Sequence, residues 1–256
     1  MKICDIRNLL NSRFPSSLSE EWDNDGDMLY LHPESEVTGV LVTLDVTDNA
    51  VEEAIKCGAN LIVSHHPLIF KPLKKLNDTA LALRIEKLIK ANVSVLSYHT
   101  RFDSAQGGMN DILAEKIGLI NPQPFGFEGE IPMGRIGNYP KCSPAEFAAQ
   151  VSLALNTNVV FYEGKREINR VAVLGGGGKD FIHLAHTLGA DAMVTGDITY
   201  SVANEELPYG ITMVDGGHYA TEVIAVDAFA DLIEEEFEVK TIRFYGENPA
   251  KIVTLM

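Results

Sequence analysis

The stretch that decides the fold is GANLIVSHHP, residues 58–67. Its apolar centre is short and rich in branched side chains, which is typical of a strand buried on both faces. Two similar runs, VLVTL (40–44) and VSVLS (93–97), lie on either side of it in the chain. The segments between these runs, 47–58 and 78–92, space their apolar residues as helices do. This alternation predicts an α/β fold with largely parallel sheet pairing.

The second half of the chain repeats the first. GVLVTLD (39–45) resembles RVAVLGG (170–176), and the offset between them is 131 residues. GANLIVS (58–64) resembles GADAMVT (189–195) at the same offset. An offset that stays constant over two separate motifs indicates a duplication.

A second offset links the polar residues that follow the third strand of each half. His99 and Asp103 map onto His218 and Glu222, and both pairs are 119 residues apart. The first half has a longer segment after His66 than the second half has at the matching position, and this accounts for the difference between the two offsets. We therefore expect two pseudo-symmetric α/β halves, with a ligand site in the crevice between them.

A segment rich in proline and glycine, residues 121–144, separates the halves. Proline removes backbone donors and glycine tolerates unusual dihedral angles, so a regular helix is excluded there. We predict a first half over residues 1–120, a linker over 121–144 and a second half over 145–256.

Composition and charge limit the function. The chain has 256 residues, of which 46% are hydrophobic and 22% are charged, as in ordinary globular proteins. Its 21 basic and 36 acidic residues give a net charge of −15, which disfavours nonspecific binding to nucleic acid or anionic membranes. Three cysteines without a CxxC pair fit a reducing compartment. No stretch has the ~18 apolar residues of a membrane helix, so we expect a soluble, cytoplasmic protein.

Polar side chains gather where three of the predicted strands end. SHHP (64–67), HTRFD (99–103) and GGHYATE (216–222) each follow an apolar run. In open α/β sheets the usual ligand site lies beyond the carboxyl ends of the strands. Imidazoles and carboxylates therefore lie at the carboxyl ends of three predicted strands.

The spacing within these clusters favours a metal site. His65 and His66 are adjacent, and neighbours on a regular strand face opposite ways, so each can serve one of two nearby ions. His218 and Glu222 are four residues apart and share one face if a helix begins near His218. Imidazole with carboxylate suits zinc, iron or manganese. In a paired site with ions about 3.5–4 Å apart, Glu222 is the natural bridge.

Two further residues have candidate roles beside these ligands. His99 repeats the four-residue spacing with Asp103, and it either binds a metal or hydrogen-bonds to a ligand. It is also the candidate to transfer a proton in catalysis. Asp45 ends its strand beside the proposed crevice and is a candidate to orient a ligating histidine.

At these residues the sequence resembles the NIF-three-like dinuclear-metal-centre family, whose bacterial members are known as GTP cyclohydrolase I type 2 homologues. The resemblance covers nearly the whole chain. It rests on motifs that occur in the family's order: EEWDNDG (20–26), SHHPLIF (64–70), HTRFD (99–103), GGMND (107–111), VTGDITY (194–200) and DGGHYATE (215–222).

The resemblance implies the site in more detail. One ion would be bound by His66 and Asp103, a second by His65 and His218, and Glu222 would be shared. A ring-shaped homohexamer is also implied, as is opening of a guanine nucleotide ring. The sequence departs from the family at Ser201, where relatives often have histidine, and at Asp27-Met28, where an apolar residue is usual.

Three functions are compatible with these features. The first is a metal-dependent hydrolase with two divalent ions, which would act through a metal-bound hydroxide on a small-molecule substrate such as a nucleotide. The second is a metal-binding scaffold or regulator that acts through protein partners without turnover. The third is a metal store or chaperone. An open coordination position would distinguish a catalytic ion from a structural one.

Other motifs have competing interpretations. Gly175–Gly178 with Lys179 fits neither the P-loop nor the GxGxxG pattern, so it is either a tight turn or an anion site formed by backbone amides. His183 and His186 have metal-ligand spacing, but an ordinary helix face also explains them. Three lysines after the His-His turn could bind a substrate phosphate or belong to a solvated loop: Lys71, Lys74 and Lys75.

Overall fold

The structure is a computed structural model that describes residues 1–251, except for the side chain of Glu128. Residues 252–256, which end the predicted second half, lie outside the described residues. The chain divides into two compact units. Unit 1 comprises residues 1–101 and the chain from Ala225 onward, and unit 2 comprises residues 102–224.

Unit 1 contains a five-stranded sheet in the order β1-β4-β3-β2-β11. All neighbouring strands are parallel except β1 and β4. The strands are β1 (Gly26–Leu29), β2 (Val40–Thr43), β3 (Leu61–Ser64), β4 (Ser94–Ser97) and β11 (Thr241–Phe244). The helices are α1 (Ile3–Arg13), α2 (Asp48–Cys57), α3 (Ala80–Lys90) and α10 (Ala225–Glu236). The chain passes from unit 1 to unit 2 within α4 (Thr100–Ser104).

Local sequence explains the helices between these strands. α2 begins after Thr47, whose hydroxyl accepts a hydrogen bond from the backbone N–H of Ala50 at 3.2 Å. It ends at Gly58, which has a left-handed φ of 71°. α3 begins in the same way after Thr79. Every residue of β2, β3 and β4 is buried, as the apolar runs predict.

Unit 2 contains a six-stranded mixed sheet in the order β5-β6-β8-β9-β10-β7. Its strands are β5 (Ile120–Glu128), β6 (Ile131–Cys142), β7 (Val160–Tyr162), β8 (Ile168–Val173), β9 (Ala192–Thr195) and β10 (Thr212–Asp215). Its helices are α5 (Met109–Ile117), α6 (Pro144–Leu155), α7 (Ile182–Thr187), α8 (Tyr200–Glu206) and α9 (His218–Glu222). The α/β class is therefore confirmed.

The two sheets contain the same four-strand arrangement, which supports a duplication. In unit 1, β2, β3 and β4 are parallel neighbours, and the short strand β1 pairs antiparallel with β4. In unit 2, β8, β9 and β10 are parallel neighbours, and the short strand β7 pairs antiparallel with β10. Each unit thus has the same four-strand order, although the other pairings of the second sheet are antiparallel.

The predicted linker at residues 121–144 is corrected by the structure. Most of this segment forms β5 and β6, which pair antiparallel. β5 lies at the edge of the described sheet, where a proline can be accommodated without loss of a ladder hydrogen bond. Pro122 and Pro140 lie where the strand registers shift. Phe125, Met133 and Ile136 of this hairpin are buried in the core of unit 2, and their burial outweighs the turn-forming residues.

The predicted domain boundaries change with this hairpin. Unit 2 begins at Phe102, before the proline-rich segment, and ends at Ile224. The chain then returns to unit 1 through α10 and β11, because β11 pairs in parallel with β2. The second predicted half is therefore divided between the two units.

The helices are short. The longest of those described, α6 and α10, have 12 residues each. About 20 apolar residues are needed to cross a bilayer as a helix. Within residues 1–251, no helix has both the length and the apolar character that a membrane span requires.

Candidate metal centre

Unit 1 gathers three imidazole rings beyond the ends of β3 and β4. His65 and His66 follow β3, and His99 follows β4. The ring centroids are 5.1 Å apart for His65 and His66, 5.2 Å for His65 and His99, and 5.5 Å for His66 and His99. One ring nitrogen of each lies within 4.8 Å of the other two, so the group could hold a metal ion.

The backbone and a carboxylate orient the two adjacent histidines. The Nδ1 atom of the fully buried His65 lies 2.9 Å from the carbonyl oxygen of Tyr98. The Nδ1 atom of His66 lies 2.8 Å from Oδ1 of Asp45, the residue that the sequence offered as a candidate to orient a histidine. Carbonyl and carboxylate oxygens only accept hydrogen bonds, so Nδ1 donates in both rings. The Nε2 atom of each ring then carries the lone pair that can bind a metal.

His99 is oriented in the same way by Asp23. Its Nδ1 atom lies 2.9 Å from Oδ1 of Asp23, and the other carboxylate oxygen accepts from the Thr100 backbone N–H at 3.1 Å and its hydroxyl at 2.7 Å. Burial by itself would raise the pKa of the Asp23 carboxyl. The hydrogen bonds and charge of His99, together with the bonds from Thr100, outweigh burial and lower this pKa to about 2. Asp23 is therefore an ionised acceptor at neutral pH.

Unit 2 presents a histidine and a carboxylate on one turn of helix. α9 runs from His218 to Glu222, and the Nε2 atom of His218 lies 3.0 Å from Oε2 of Glu222, as the four-residue spacing predicts. The Nδ1 atom of His218 lies 2.8 Å from Oδ2 of Asp197. Glu222 is only 4% exposed, and a buried carboxylate is costly unless positive charge lies beside it.

The residues present fit a divalent metal. In three histidines of unit 1, Nδ1 faces an oxygen acceptor, so Nε2 is the nitrogen that can bind a metal: His65, His66 and His99. In His218 both ring nitrogens face carboxylate oxygens, Nδ1 that of Asp197 and Nε2 that of Glu222. Carboxylate–histidine pairs of this kind are typical of metal sites, where they set the tautomer and the ring orientation. Asp103 lies half-buried in α4 within unit 2, and its backbone carbonyl accepts from Asn110 at 3.2 Å.

The four-glycine turn has a steric explanation within unit 2. Gly176 has a φ of 64°, and a Cβ atom there would overlap Oε1 of Glu222 and lie 3.3 Å from Nε2 of His218. The backbone N–H groups of Gly175, Gly176 and Gly178 each donate to a protein side chain. These amides are therefore not available to bind an anion. The turn lets the backbone approach Glu222 and His218 closely.

Two other candidates from the sequence lie apart from these groups. The Nδ1 atom of His183 donates to Oε2 of Glu206 at 3.1 Å, and the rings of His183 and His186 pack against Tyr209. They belong to an ordinary helix face. Three lysines lie exposed on the segment before α3, which leaves them accessible to an anionic ligand: Lys71, Lys74 and Lys75.

Sequence reasoning missed the roles of Asp23 and Asp197. Both lie in motifs that carried the family resemblance, EEWDNDG and VTGDITY, but neither motif suggested a histidine partner. One signal was available for Asp197, because it precedes His218 by 21 residues and Asp45 precedes His66 by the same number. No spacing signal pointed to Asp23, which is 76 residues from His99.

One departure from the family pattern also has an explanation. Asp27 accepts hydrogen bonds from the Arg7 guanidinium at 2.8 and 2.9 Å. The charged residue in β1 is thus matched by a basic residue on α1. Ser201 lies in α8, where its hydroxyl is 3.1 Å from that of Thr199.

Comparison with known proteins identifies the family. Residues 1–249 match the family described as Duf34/NIF3 (NGG1p interacting factor 3). The chain belongs to the Duf34/NIF3 family. The resemblance inferred from the motifs is therefore confirmed, and the match extends across both units.

Named relatives agree with this assignment to Duf34/NIF3. A protein of Clostridium perfringens (strain 13 / Type A) named GTP cyclohydrolase 1 type 2 homolog is 33% identical over 260 residues, which cover 98% of each chain. A protein of Lactococcus lactis subsp. lactis (strain IL1403) with the same name is 33% identical over 231 residues and covers 86% of each chain.

Solved Duf34/NIF3-like structures share the fold. A Bacillus cereus protein related to NIF3 has a TM-score of 0.89 and 26% identity, with 99% of each chain covered. Reduced HcgD from Methanocaldococcus jannaschii has a TM-score of 0.85 and 26% identity, with 94% of this chain and 96% of that chain covered.

Proposed function

We propose that this protein is a metal-dependent hydrolase with a dinuclear centre. Five side chains would bind two divalent ions of zinc, iron or manganese: His65, His66, Asp103, His218 and Glu222. The family resemblance supplies this ligand set, with Glu222 shared between the ions. Imidazole and carboxylate together suit these three metals.

The observation that carries the proposal is the common orientation of the imidazoles. Asp45 and Asp197 each hold the Nδ1 atom of a histidine at 2.8 Å, which orients the rings of His66 and His218 so that Nε2 would be the ligand atom. The same Nδ1–carboxylate pair in both units is difficult to explain by packing, because a buried or surface histidine needs no carboxylate at Nδ1. A metal-binding role explains it directly.

Open coordination positions favour catalysis over a structural role. Five protein ligands over two ions leave positions for water and substrate, whereas a structural zinc is closed by four protein ligands. Bound ions would lower the pKa of water and stabilise a developing negative charge. His99, oriented by the ionised Asp23, would exchange a proton with the substrate at Nε2.

The substrate class follows from the relatives' names. The curated relatives are named GTP cyclohydrolase 1 type 2 homolog, so a guanine nucleotide is the first substrate to test. Hydrolysis at C8 of GTP would open the imidazole ring of the base. Hydrolysis of a phosphoester or an amide would use the same side chains.

The test combines metal content and turnover on one sample. Protein purified without a chelator is analysed for metals, and the same sample is assayed for ring-opened product from GTP. About two ions per chain with product support the whole proposal. Two ions without product remove GTP as substrate, and a screen of phosphoesters and amides then decides the reaction. Absence of metal, even after zinc, iron or manganese is added, contradicts the centre.

A metal-binding scaffold is the second candidate. The description of the family, NGG1p interacting factor 3, refers to interaction with another protein. In this alternative the ions would have no exchangeable water, and no substrate from the screen would be turned over. Water exchange at the bound metal, measured by relaxation of manganese-loaded protein, distinguishes a closed site from an open one.

We also propose that the protein assembles as a homohexamer, as the family resemblance implies, and that it is cytoplasmic, as its unpaired cysteines favour. Light scattering on the purified protein should then give the mass of six chains. Fractionation of cells that produce the tagged protein should recover it in the cytoplasmic fraction. A monomeric mass would contradict the hexamer, and recovery with membranes would contradict the cytoplasmic location.

A further inference from the structure

Two exposed aromatic rings stand beside the histidine cluster of unit 1. Trp22 is 55% exposed and Phe70 is 45% exposed, although both are large apolar side chains. Their centroids are 6.2 Å apart, and they lie 6.1 Å and 6.3 Å from the ring of His99 in edge-to-face orientations. Many apolar side chains of the chain are exposed singly, but these two converge on a candidate metal ligand.

The segments that carry both rings are anchored. Asp23, which follows Trp22, accepts hydrogen bonds from His99 and Thr100. The side-chain amide of Asn24 donates to the carbonyl oxygen of Ile69, which precedes Phe70. The two segments are thus held to each other and to the end of β4. A site held in this way loses little conformational freedom when a ligand binds.

We propose that Trp22 and Phe70 form the subsite for a planar heteroaromatic ring of the substrate. Exposed aromatic faces bind flat π-systems by stacking, and every nucleobase has such a face. The polar edge of a bound heterocycle would meet the imidazole of His99. This inference rests on the proposed function, because it takes the occupant of the subsite to be the molecule on which the metal centre acts.

The charge around the rings favours a nucleotide over an uncharged heterocycle. The chain carries a net charge of −15, so an anion needs a local basic group. Three exposed lysines lie within five residues after Phe70 in the chain: Lys71, Lys74 and Lys75. A ligand with a flat base and a phosphate would match both features of this part of unit 1.

Trp22 is itself the probe, because it is the only tryptophan of the chain. Its fluorescence is followed while the metal-loaded protein is titrated with guanosine monophosphate, adenosine monophosphate or ribose 5-phosphate. Both nucleotides should quench the emission saturably, since stacking tolerates different bases, and ribose 5-phosphate should not. Equal responses to all three, or no saturable response, would overturn the inference. An emission maximum typical of a buried indole would do so too, because a second chain would then cover the ring.

Phe70→Ala tests the second ring without removing the probe. Loss of one stacking partner should weaken nucleotide affinity about 10-fold, while Phe70→Tyr should retain it. Leu76→Ala is the matched control, because Leu76 is exposed on the same segment at 66% and should not affect binding. Unchanged affinity in Phe70→Ala, with circular dichroism of the wild type, would refute the role of Phe70.

The same samples separate this inference from the hydrolase proposal. Turnover is assayed beside the titration. Saturable quenching that depends on Phe70, without any product, would remove the hydrolase and support the subsite. Product formation from a nucleotide with equal KM in wild type and Phe70→Ala would support the hydrolase and refute the subsite.

Discussion

The Nδ1 atom of His66 lies 2.8 Å from Oδ1 of Asp45, and the two residues follow neighbouring parallel strands of one sheet. Unit 2 contains the same relationship between His218 and Asp197, at the same distance and the same separation in sequence. Because a carboxylate only accepts hydrogen bonds, Nδ1 donates in each pair, and Nε2 is the nitrogen that each histidine would offer to a metal. The carboxylates are therefore as informative about function as the histidines.

Asp45→Ala should lower metal affinity about 10–100-fold, because the ring of His66 loses the acceptor that fixes its orientation. Asp45→Asn should retain part of the affinity, since its amide oxygen can still accept from Nδ1. Affinity is measured by competition with a chromophoric chelator. Asp78→Ala serves as the control, because Asp78 is exposed, lies just before α3 and is not among the described residues that could hold a metal. Equal affinities for the three variants would contradict the orienting role.

Gly176→Ala should prevent metal binding, because a Cβ atom would displace the carboxylate of Glu222. The left-handed φ of Gly176 adds a cost of about 1–2 kcal/mol for any other residue. Gly177→Ala is a close control, because its Cβ atom would meet only Oδ2 of Asp197, at 3.7 Å. Metal content by elemental analysis and thermal unfolding are compared for both. A Gly176→Ala protein that retains its metal would disprove the steric role of the turn.

His65→Ala combined with Glu222→Ala should abolish metal binding while the fold is retained. Both residues belong to the proposed ligand set. The double variant His183→Ala with Glu206→Ala removes a comparable histidine–glutamate pair outside that centre and should bind metal normally. Elemental analysis and circular dichroism are measured on both proteins. Wild-type metal content in the first double variant would eliminate the proposed site.

Asp23 should make the metal-free protein sensitive to acid. The pKa of its carboxyl is lowered from 3.8 to about 2, so the folded state favours the ionised form. The ionised carboxyl stabilises the folded state by about 2 kcal/mol when the pH is above the pKa of Asp23 in the unfolded chain. This stabilisation is lost as the pH falls from about 4 to 2. Urea unfolding of wild type and Asp23→Asn over this range should therefore converge at low pH. A difference that does not change with pH would contradict ionisation as the cause.

Asp25→Ala should destabilise unit 1 by about 3–5 kcal/mol, because it leaves a buried guanidinium without its carboxylate. Arg101 and Asp25 are only 6% and 3% exposed, and Nη2 lies 2.5 Å from Oδ1. The Nε atom donates to the other carboxylate oxygen at 2.9 Å. Replacing both residues by apolar ones, as in Asp25→Leu with Arg101→Met, should recover part of the loss. Chemical denaturation measures the free energy of unfolding of both variants. A loss below about 1 kcal/mol in Asp25→Ala would contradict the stabilising role of the Asp25–Arg101 ion pair.

The sequence by itself determined the repeating strands and helices and the polar residues at the strand ends. The runs that form β2, β3 and β4 are largely apolar and buried throughout, and α2 and α3 carry their own N-caps, so local spacing was sufficient. The two His-x3-carboxylate units were visible for the same reason. Such features depend on neighbours within a few residues.

Only the tertiary structure decided the partners that are distant in the chain. The proline-rich segment became the hairpin β5–β6, and β11 returned to pair with β2, about 200 residues earlier in the chain. Strand pairing of this kind depends on burial and register across the whole sheet, which local periodicity does not encode. The hydrogen bond from His99 to Asp23 depends on the pairing of β1 with β4, and the approach of Gly176 to Glu222 depends on the sheet order β8-β9-β10. The chain therefore specifies its ligands locally, and the folded sheets orient them.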